Sequence, residues 1–125
     1  MCMSMFRLIV LMTAALVLGP AAHAGKSRII QEGQASWYCI KCNGGTHTSS
    51  GETLRDYAMT AAHKTLPMGT KVRVTNMDNG KSVVVRINDR GPYIKRRIID
   101  VTKGAARKLG FLNKGIVPVM VEVLN

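Results

Sequence analysis

A hairpin signal in the second half of the chain restricts the fold more than any other feature of the sequence. Residues 71–75 alternate between polar and apolar side chains, which is typical of a strand with one buried face. The turn sequence Asp78-Asn79-Gly80 follows, and residues 82–87 form a second run of high β propensity. The sequence therefore predicts an antiparallel β-hairpin.

Short β segments and one helix account for most of the remaining chain. Further strands are predicted over residues 34–38, 97–101 and 118–123. A helix is predicted over residues 103–109, with Thr102 as its N-cap and Gly110 at its end, while residues 60–63 fit either a helical turn or a strand. With 125 residues there is room for one domain. Short strands between glycine-rich turns favour a small, mainly-β barrel over an α/β sheet.

The first 24 residues predict a cleaved signal peptide. Arg7 precedes an apolar run over residues 8–18, which is well short of the ~20 residues of a membrane-spanning helix. Small residues at Ala22 and Ala24 predict cleavage before Gly25. No cysteine follows the apolar run at the cleavage site, so a lipid anchor is not expected. We therefore expect a periplasmic or secreted protein without stable membrane insertion, the alternative being an uncleaved membrane anchor.

The exported domain is strongly basic. We expect residues 25–32 to form a flexible leader and residues 33–125 to form the barrel. The chain has a formal net charge of +11, and Arg7 is the only charged residue of the predicted signal peptide. Such a charge is typical of proteins that work among anionic polymers or membrane surfaces, but a plain solvated surface is an equal alternative. An exported chain without a recognition motif is not expected to bind nucleic acid, and no motif predicts a cofactor.

Cys39 and Cys42 are the two cysteines that remain after cleavage. In an oxidising compartment a disulfide between them is the first expectation. It would close a very short loop, so it would rigidify that loop more than it would stabilise the domain. A zinc site with His47 or His63 and a pair of free thiols are the alternatives. The histidine spacing does not match a zinc motif, so no metal is predicted.

Three groups of motifs carry a resemblance to a known family. They are GQASWY at residues 33–38, SGE at 50–52 with TAAHKTLPMGT at 60–70, and the stretch from 72 to 100 with VTN, NG, NDRGP and RIID. In this order they resemble the rare lipoprotein A (RlpA) family of septal and cell-wall lytic transglycosylases. The resemblance implies a six-stranded double-psi β-barrel, related to the barwin and expansin folds. It also implies cleavage of MurNAc–GlcNAc bonds in peptidoglycan glycan strands, without water, to leave 1,6-anhydro ends.

Carboxyl groups are the side chains that this chemistry needs. One must protonate the leaving oxygen, and the same or a neighbouring one must take a proton from the 6-hydroxyl of the sugar. The exported part has seven carboxylates. Three are set aside, Glu32 in the leader, Asp78 in the hairpin turn and Glu122 on an expected exposed strand face. The remaining candidates are Glu52, Asp56, Asp89 and Asp100.

The resemblance places the catalytic aspartate at Asp89, after a buried strand, with Glu52 as an assisting carboxylate. An acid near neutral pH needs a raised pKa, which burial or the like charge of Glu52 would give Asp89. The structural alternatives are an ion pair of Asp89 with an arginine and an exposed loop position for Glu52. The assisting or substrate-binding residues are predicted to be His63, Asp56, Arg90 and Tyr93. For His63 the alternative is a core position with hydrogen bonds to the backbone.

Two further positions affect whether the domain can be catalytically active. Asp100 is expected to cap the following helix, although the family pattern also has an aspartate here. Family members commonly place an aspartate three residues after the glutamate, whereas this sequence has Arg55 there and an acid at Asp56. The departure leaves a second function open, a non-catalytic expansin-like module that binds the cell wall. A secreted barwin-like defence or effector protein is the third.

Overall fold

Six strands of the described chain close into a barrel. The structure, a computed structural model, describes residues 29–43 and 46–124, with backbone only at residues 42 and 43. In chain order the elements are β1 (Ile30–Tyr38), α1 (Ile40–Asn43), β2 (Thr60–His63), β3 (Lys71–Asn76), β4 (Ser82–Asp89), β5 (Arg97–Thr102), α2 (Lys103–Leu109) and β6 (Ile116–Val123). Around the barrel the strand order is β1-β5-β2-β4-β3-β6. The mainly-β, six-stranded barrel with one substantial helix is thus confirmed.

The pairing directions give the barrel its interlaced connectivity. β1 pairs with β5 and β2 pairs with β4 in parallel, and the other four pairs are antiparallel. The predicted hairpin is β3–β4, in which Val72 lies opposite Val85, and both side chains point inward. The interior is filled by small and aliphatic side chains of all six strands, namely Ala35, Ala61, Val72, Val74, Val85, Ile87, Ile99, Val101, Val117, Val119 and Val121. Because this core is apolar and filled, polar chemistry is confined to the outer face and the loops.

Helix α2 covers one part of the barrel with the caps that the sequence predicts. The Thr102 side chain accepts a hydrogen bond from the Ala105 N–H, and Gly110 ends the helix with a positive φ of 78°. The buried residues of the helix are Gly104, Ala105, Ala106 and Leu109. At Gly104 the helix lies very close to the loop before β2. A Cβ atom on this residue would lie 2.8 Å from the Cα atom of Tyr57.

The barrel begins earlier than the sequence indicates. The predicted leader ends at residue 32, but β1 starts at Ile30 and pairs with β6 from Ile30, opposite Glu122, to Ser36, opposite Ile116. Residues 1–28, which include the predicted signal peptide and its cleavage site, lie outside the described residues. In the part of the chain that the structure describes, no helix is both long and apolar enough to cross a membrane.

Three local predictions also need adjustment. Residues 60–63, which fitted two structures, form strand β2, and all four of its side chains are buried. The cysteine segment contains one helical turn, α1, where a strand followed by a loop was expected. Glu122 is buried rather than exposed, because its carboxylate faces Arg73 on the adjacent strand, with 3.7 Å between Oε1 and Nη1.

Candidate active site

A row of side chains crosses the outer face of four strands. In the strand register Ser36 lies beside Asp100, Asp100 beside Ala62, and Ala62 beside Asp89. Neighbours in register point to the same side of a sheet, and Ile99, next to Asp100, points into the core. The row is therefore on the outside. Two carboxyl groups stand on either side of the Ala62 methyl group, with their backbones about 9–10 Å apart.

Asp89 is the last residue of β4, and three hydrogen bonds fix its side chain. Its Oδ1 accepts from the Ser49 N–H (2.9 Å), the Ser49 hydroxyl (2.6 Å) and the Arg90 N–H (2.8 Å). An irregularity in the β2–β4 register brings Asp89, rather than Asn88, opposite Ala62. Because all three bonds end on Oδ1, a proton on this carboxyl group would be carried by Oδ2.

The neighbouring arginines bind other groups. Both terminal nitrogens of Arg86 contact the Glu52 carboxylate, with 2.7 Å between Nη2 and Oε2. Arg90 instead donates from Nη1 to the carbonyl oxygens of His63 (3.2 Å) and Leu66 (2.6 Å). The hydrogen bond from Arg86 holds the pKa of the Glu52 carboxyl below its usual range. Glu52 is therefore a charged, compensated acceptor, which differs from the uncompensated like charge that was expected to act on Asp89.

His63 is buried, and both of its ring nitrogens have partners. Nδ1 accepts from the N–H groups of Thr65 and Leu66, each at 3.1 Å, so the ring proton is on Nε2, which donates to Gln31 Oε1 at 2.9 Å. Burial lowers the pKa of this imidazole, which favours its neutral form. The contacts are thus with the backbone and Gln31 and not with Asp89, and a role in substrate binding stays a prediction.

Asp56 connects the loop before β2 to the cysteine segment. Its Oδ1 accepts from the Ile40 N–H at 2.9 Å, where α1 begins, and Arg55 beside it is exposed. Cys39 is disulfide-bonded. The side chain of Cys42 lies outside the described residues, so its pairing with Cys39 stays a prediction. The acid at position 56 therefore has a clear structural contact, and its assisting role in catalysis is untested.

Tyr93 lies in the loop between β4 and β5, four residues after Asp89, and 77% of its surface is exposed. A flat, exposed aromatic ring in the loop that follows Asp89 is suited to contact with a sugar. A groove of about 510 Å³ lies elsewhere and is lined by Glu32, Gly33, Gln34, Met77, Arg96, Ile98, Pro118 and Val119. It includes none of the predicted site residues. The candidate site is a sheet face with loop margins, on which Tyr38 and Leu54 cover Ala62.

Asp100 belongs to the site rather than to the helix. Thr102, and not Asp100, caps α2, while the Asp100 carboxylate accepts a hydrogen bond from the Ser36 hydroxyl. Burial raises the pKa of Asp100 above its ordinary value, against the effects of Ser36 and Arg97, and the charge of Asp89 adds to the rise. The alternation of residues 97–102 was the available signal, because two apolar neighbours pointing inward turn Asp100 outward.

Tyr38 is the second residue that the sequence analysis did not assign to the site. Its ring is 7% exposed and forms a cluster with Leu54 and Ala62. Its hydroxyl oxygen is buried and makes no hydrogen bond of normal geometry with the described residues. Burial first, and then the charges of Asp89 and Asp100, raise the pKa of Tyr38. The phenol therefore keeps its proton beside both carboxyl groups.

Clusters of potential metal ligands are absent from the part of the chain that the structure describes. Within residues 29–43 and 46–124, no three or more histidine, cysteine, aspartate or glutamate side chains are grouped so that they could hold a metal ion. The site thus consists of carboxyl, hydroxyl, guanidinium and imidazole groups. What such groups can do without a bound ion is to donate and accept protons and hydrogen bonds.

Comparisons with known proteins give a consistent result. A family model described as "Lytic transglycolase" matches residues 30–121. The chain is 57% identical over 93 residues to the endolytic peptidoglycan transglycosylase RlpA of Pseudomonas aeruginosa strain UCBPP-PA14, covering 74% of this chain and 27% of that protein. It is 58% identical over 92 residues to the same-named protein of Neisseria meningitidis serogroup A, covering 74% and 38%. The chain thus spans between a quarter and two fifths of these relatives.

Two solved structures share the fold at lower identity. The Streptomyces papain inhibitor superposes with a TM-score of 0.63 at 21% identity, over 78% of this chain and 96% of that one. The expansin of Clavibacter michiganensis superposes with a TM-score of 0.61 at 23% identity, over 78% and 51%. At these identities the similarity establishes the barrel architecture alone.

Proposed function

The chain belongs to the lytic transglycolase family as an RlpA-like double-psi β-barrel domain, and on this premise we propose that it is an endolytic peptidoglycan transglycosylase. It would cleave MurNAc–GlcNAc bonds and leave 1,6-anhydro ends. One observation carries the proposal, namely two carboxyl groups, Asp89 and Asp100, on one outer face with the small Ala62 between them. The relatives that are more than half identical to the chain carry the name of this activity.

Asp100 is the proton donor that the environments of the two aspartates favour. Its raised pKa keeps a proton available at a higher pH than is usual for an aspartate. Asp89, to which the sequence assigned this step, has one oxygen engaged by three donors, so it is suited to act as a fixed carboxylate. We therefore assign the acid to Asp100, while Asp89 stabilises positive charge on the sugar and Glu52 with Arg86 forms the charged margin.

The reaction balances without water. Asp100 gives its proton to the glycosidic oxygen as the bond from C1 to that oxygen breaks, and the leaving sugar departs with a free hydroxyl group. The positive charge that develops at C1 faces the Asp89 carboxylate. The 6-hydroxyl oxygen of the remaining sugar then bonds to C1, and its proton returns to Asp100. The enzyme is restored and the product is a cyclic 1,6-anhydro sugar.

The place of action follows from the substrate. Peptidoglycan lies outside the cytoplasm, which agrees with the signal peptide predicted over residues 1–24, so we propose a periplasmic or secreted protein. The basic surface is compatible with this setting, since wall polymers carry negative charge. No nucleic acid or cofactor takes part in the proposed reaction.

Analysis of the products tests the proposal. Purified protein is incubated with glycan strands, with and without stem peptides, and 1,6-anhydro ends are detected by mass spectrometry. We expect wild-type protein to form them and Asp100→Asn to be slower by about 10²–10⁴-fold, because it lacks the acid. Asp89→Asn is expected to lose activity as well. Asp78→Asn is the matched control, since Asp78 is an exposed turn residue paired with Lys114.

The same experiment decides between catalysis and wall binding alone. If wild type, Asp89→Asn and Asp100→Asn all give the same product profile, the enzyme proposal fails. If such a protein still sediments with insoluble peptidoglycan, the expansin-like binding module takes its place. If Asp89→Asn is inactive while Asp100→Asn is fully active, the sequence-based assignment of the acid to Asp89 is the better one.

A further inference from the structure

The position of Tyr38 relative to the two carboxyl groups follows from the register. Ala62 separates Asp89 from Asp100 in the row and offers only a methyl group, and the Tyr38 ring packs on that methyl. The Tyr38 ring thus occupies the space that a side chain larger than alanine at position 62 would fill. The Tyr38 side chain therefore lies on the same face as the two carboxyl groups, and the charges of Asp89 and Asp100 both act on its hydroxyl.

This hydroxyl makes no hydrogen bond of normal geometry, although the Thr60 hydroxyl is near enough to lower the pKa of Tyr38. Buried hydroxyl groups nearly always form a hydrogen bond, and those that do not call for an explanation. The Tyr38 oxygen is buried and forms no normal hydrogen bond with any described group. Asp89 Oδ1 already accepts three hydrogen bonds, whereas the one recorded for Asp100 comes from Ser36. Each carboxyl group therefore keeps an oxygen without a recorded donor, but Asp100 lies on β5, next to the strand of Tyr38, whereas Asp89 on β4 is two strands further around the barrel.

We propose that Tyr38 is a positioning residue for Asp100, whose hydroxyl donates a hydrogen bond to the Asp100 carboxylate after the proton has passed to the leaving sugar. The inference rests on the proposed function. While Asp100 is protonated it has less acceptor strength, and the phenol is left unpaired. Once Asp100 is charged, a charge-assisted hydrogen bond forms and holds the carboxylate until it takes the proton of the 6-hydroxyl.

The sign of the effect depends on every group that faces Asp100. These are Ser36 and Tyr38 from β1, Asp89 from β4 and Arg97 on the same strand, while β2 presents the apolar Ala62. A donor to the charged form lowers the pKa of Asp100. Removal of the Tyr38 hydroxyl should therefore raise that pKa. It should also slow the step in which the carboxylate acts as a base, because the loss of its positioning outweighs the gain in base strength.

Tyr38→Phe tests this directly, with Tyr57→Phe as the matched control, because Tyr57 is exposed. The carboxyl ¹³C resonance of Asp100, assigned by its loss in Asp100→Asn, is titrated in each protein. We expect the pKa of Asp100 to rise by about one unit in Tyr38→Phe and to stay unchanged in Tyr57→Phe. In the product assay kcat should fall about tenfold with little change in KM, and the basic limb of the pH profile should move upward.

A second variant guards against a folding defect in Tyr38→Phe. Replacement of tyrosine by 3-fluorotyrosine in the Tyr57→Phe, Tyr93→Phe background keeps the ring and strengthens the phenol as a donor, so the pKa of Asp100 should fall. Identical Asp100 titrations in the wild-type, phenylalanine and fluorotyrosine proteins would overturn the inference. Because the titration needs no substrate, a wild-type protein without lytic activity would refute the proposed function alone.

Discussion

Asp89 and Asp100 are the same residue type in different surroundings. Asp89 is held by N–H and hydroxyl donors at the end of β4, and Asp100 is half-buried between β1 and β2 with one hydroxyl donor. Burial disfavours a charge, whereas hydrogen-bond donors fix an acceptor in place. A pair of carboxyl groups with such separated environments is the arrangement by which one fold supplies an acid and an anion together.

The raised pKa of Asp100 predicts an effect on stability as well. The folded protein holds this proton more tightly than the unfolded chain, so Asp100 contributes stability at low pH that is lost as pH rises through its native pKa. We expect Asp100→Asn to have a higher unfolding midpoint than wild type at neutral pH. Thermal unfolding followed by circular dichroism across pH measures the difference between the two midpoints. This difference should disappear at pH values below the ordinary pKa of an aspartate.

Asp78→Asn again supplies the comparison, because the Asp78 carboxylate is exposed. Its midpoint should follow that of wild type across the pH range. An Asp100→Asn protein that is less stable than wild type at neutral pH would show that the charged carboxylate stabilises the fold, contrary to the buried-acid assignment.

At the level of single residues, the sequence predicted Asp89 but not Asp100 and Tyr38, which share the outer face with it. NDRGP is a local motif, so its aspartate can be recognised from the chain itself. The pairing of Ser36 with Asp100 joins residues 64 positions apart on parallel strands, and nothing local encodes that register. Tyr38 was recognisable as an aromatic strand residue, but its neighbours come from three other parts of the chain.

Among the elements, those with a regular pattern were predicted and the irregular ones were not. The β3–β4 hairpin and α2 have a local alternation, a turn sequence or caps, so their positions follow from neighbouring residues. Strand β2 is four residues long and buried on both faces, so it has no alternation to recognise. Helix α1 is a single turn, too short for a periodic signal, and its first N–H is bound by the distant Asp56.

Contact between α2 and the loop before β2 connects the helix to the site margin. A Cβ atom on Gly104 would lie 2.8 Å from Tyr57 Cα and 3.1 Å from the Asp56 carbonyl oxygen, which accepts the Gly104 N–H at 2.7 Å. Gly104→Ala should therefore destabilise the protein by about 1–3 kcal/mol, although alanine is the better helix former. Urea unfolding measures this change.

Arg107→Ala on the exposed side of α2 is the control for Gly104→Ala, because it alters the helix without a steric contact. It should change the free energy of unfolding by less than about 0.5 kcal/mol. If Gly104→Ala were stabilising, the distance between α2 and the loop before β2 would have to be larger than it is in the structure.

For the molecule as a whole, charge is the property that the sequence gives most directly. The net charge is +11, and Lys103, Arg107 and Lys108 lie along α2, outside the apolar core. We expect the inactive Asp100→Asn protein to bind insoluble peptidoglycan less at high salt, because the screening length falls from about 10 Å at 0.1 M to about 3 Å at 1 M. Sedimentation at several salt concentrations measures this.

Arg107→Glu with Lys108→Glu should weaken the same binding at low salt. It should lower the unfolding midpoint only slightly, although both side chains lie in the last turn of α2, at the negative end of the helix dipole. Binding that is insensitive both to salt and to this double substitution would mean that the basic surface only keeps the protein in solution. Wall attachment would then depend on the outer face around Asp89 and Asp100 alone.

The closed ring of strands has a further consequence for how this domain meets other chains. Each of the six strands has a hydrogen-bonded neighbour on both sides over part of its length. Among the described residues, only short stretches such as 30–33 of β1 and 82–85 of β4 are paired on one side alone. Where both sides of a strand are paired, association with itself or with a partner would use side chains and loops, because β-augmentation needs a free strand edge. In a crowded polymer mesh, that pairing limits aggregation of the sheet through its own backbone.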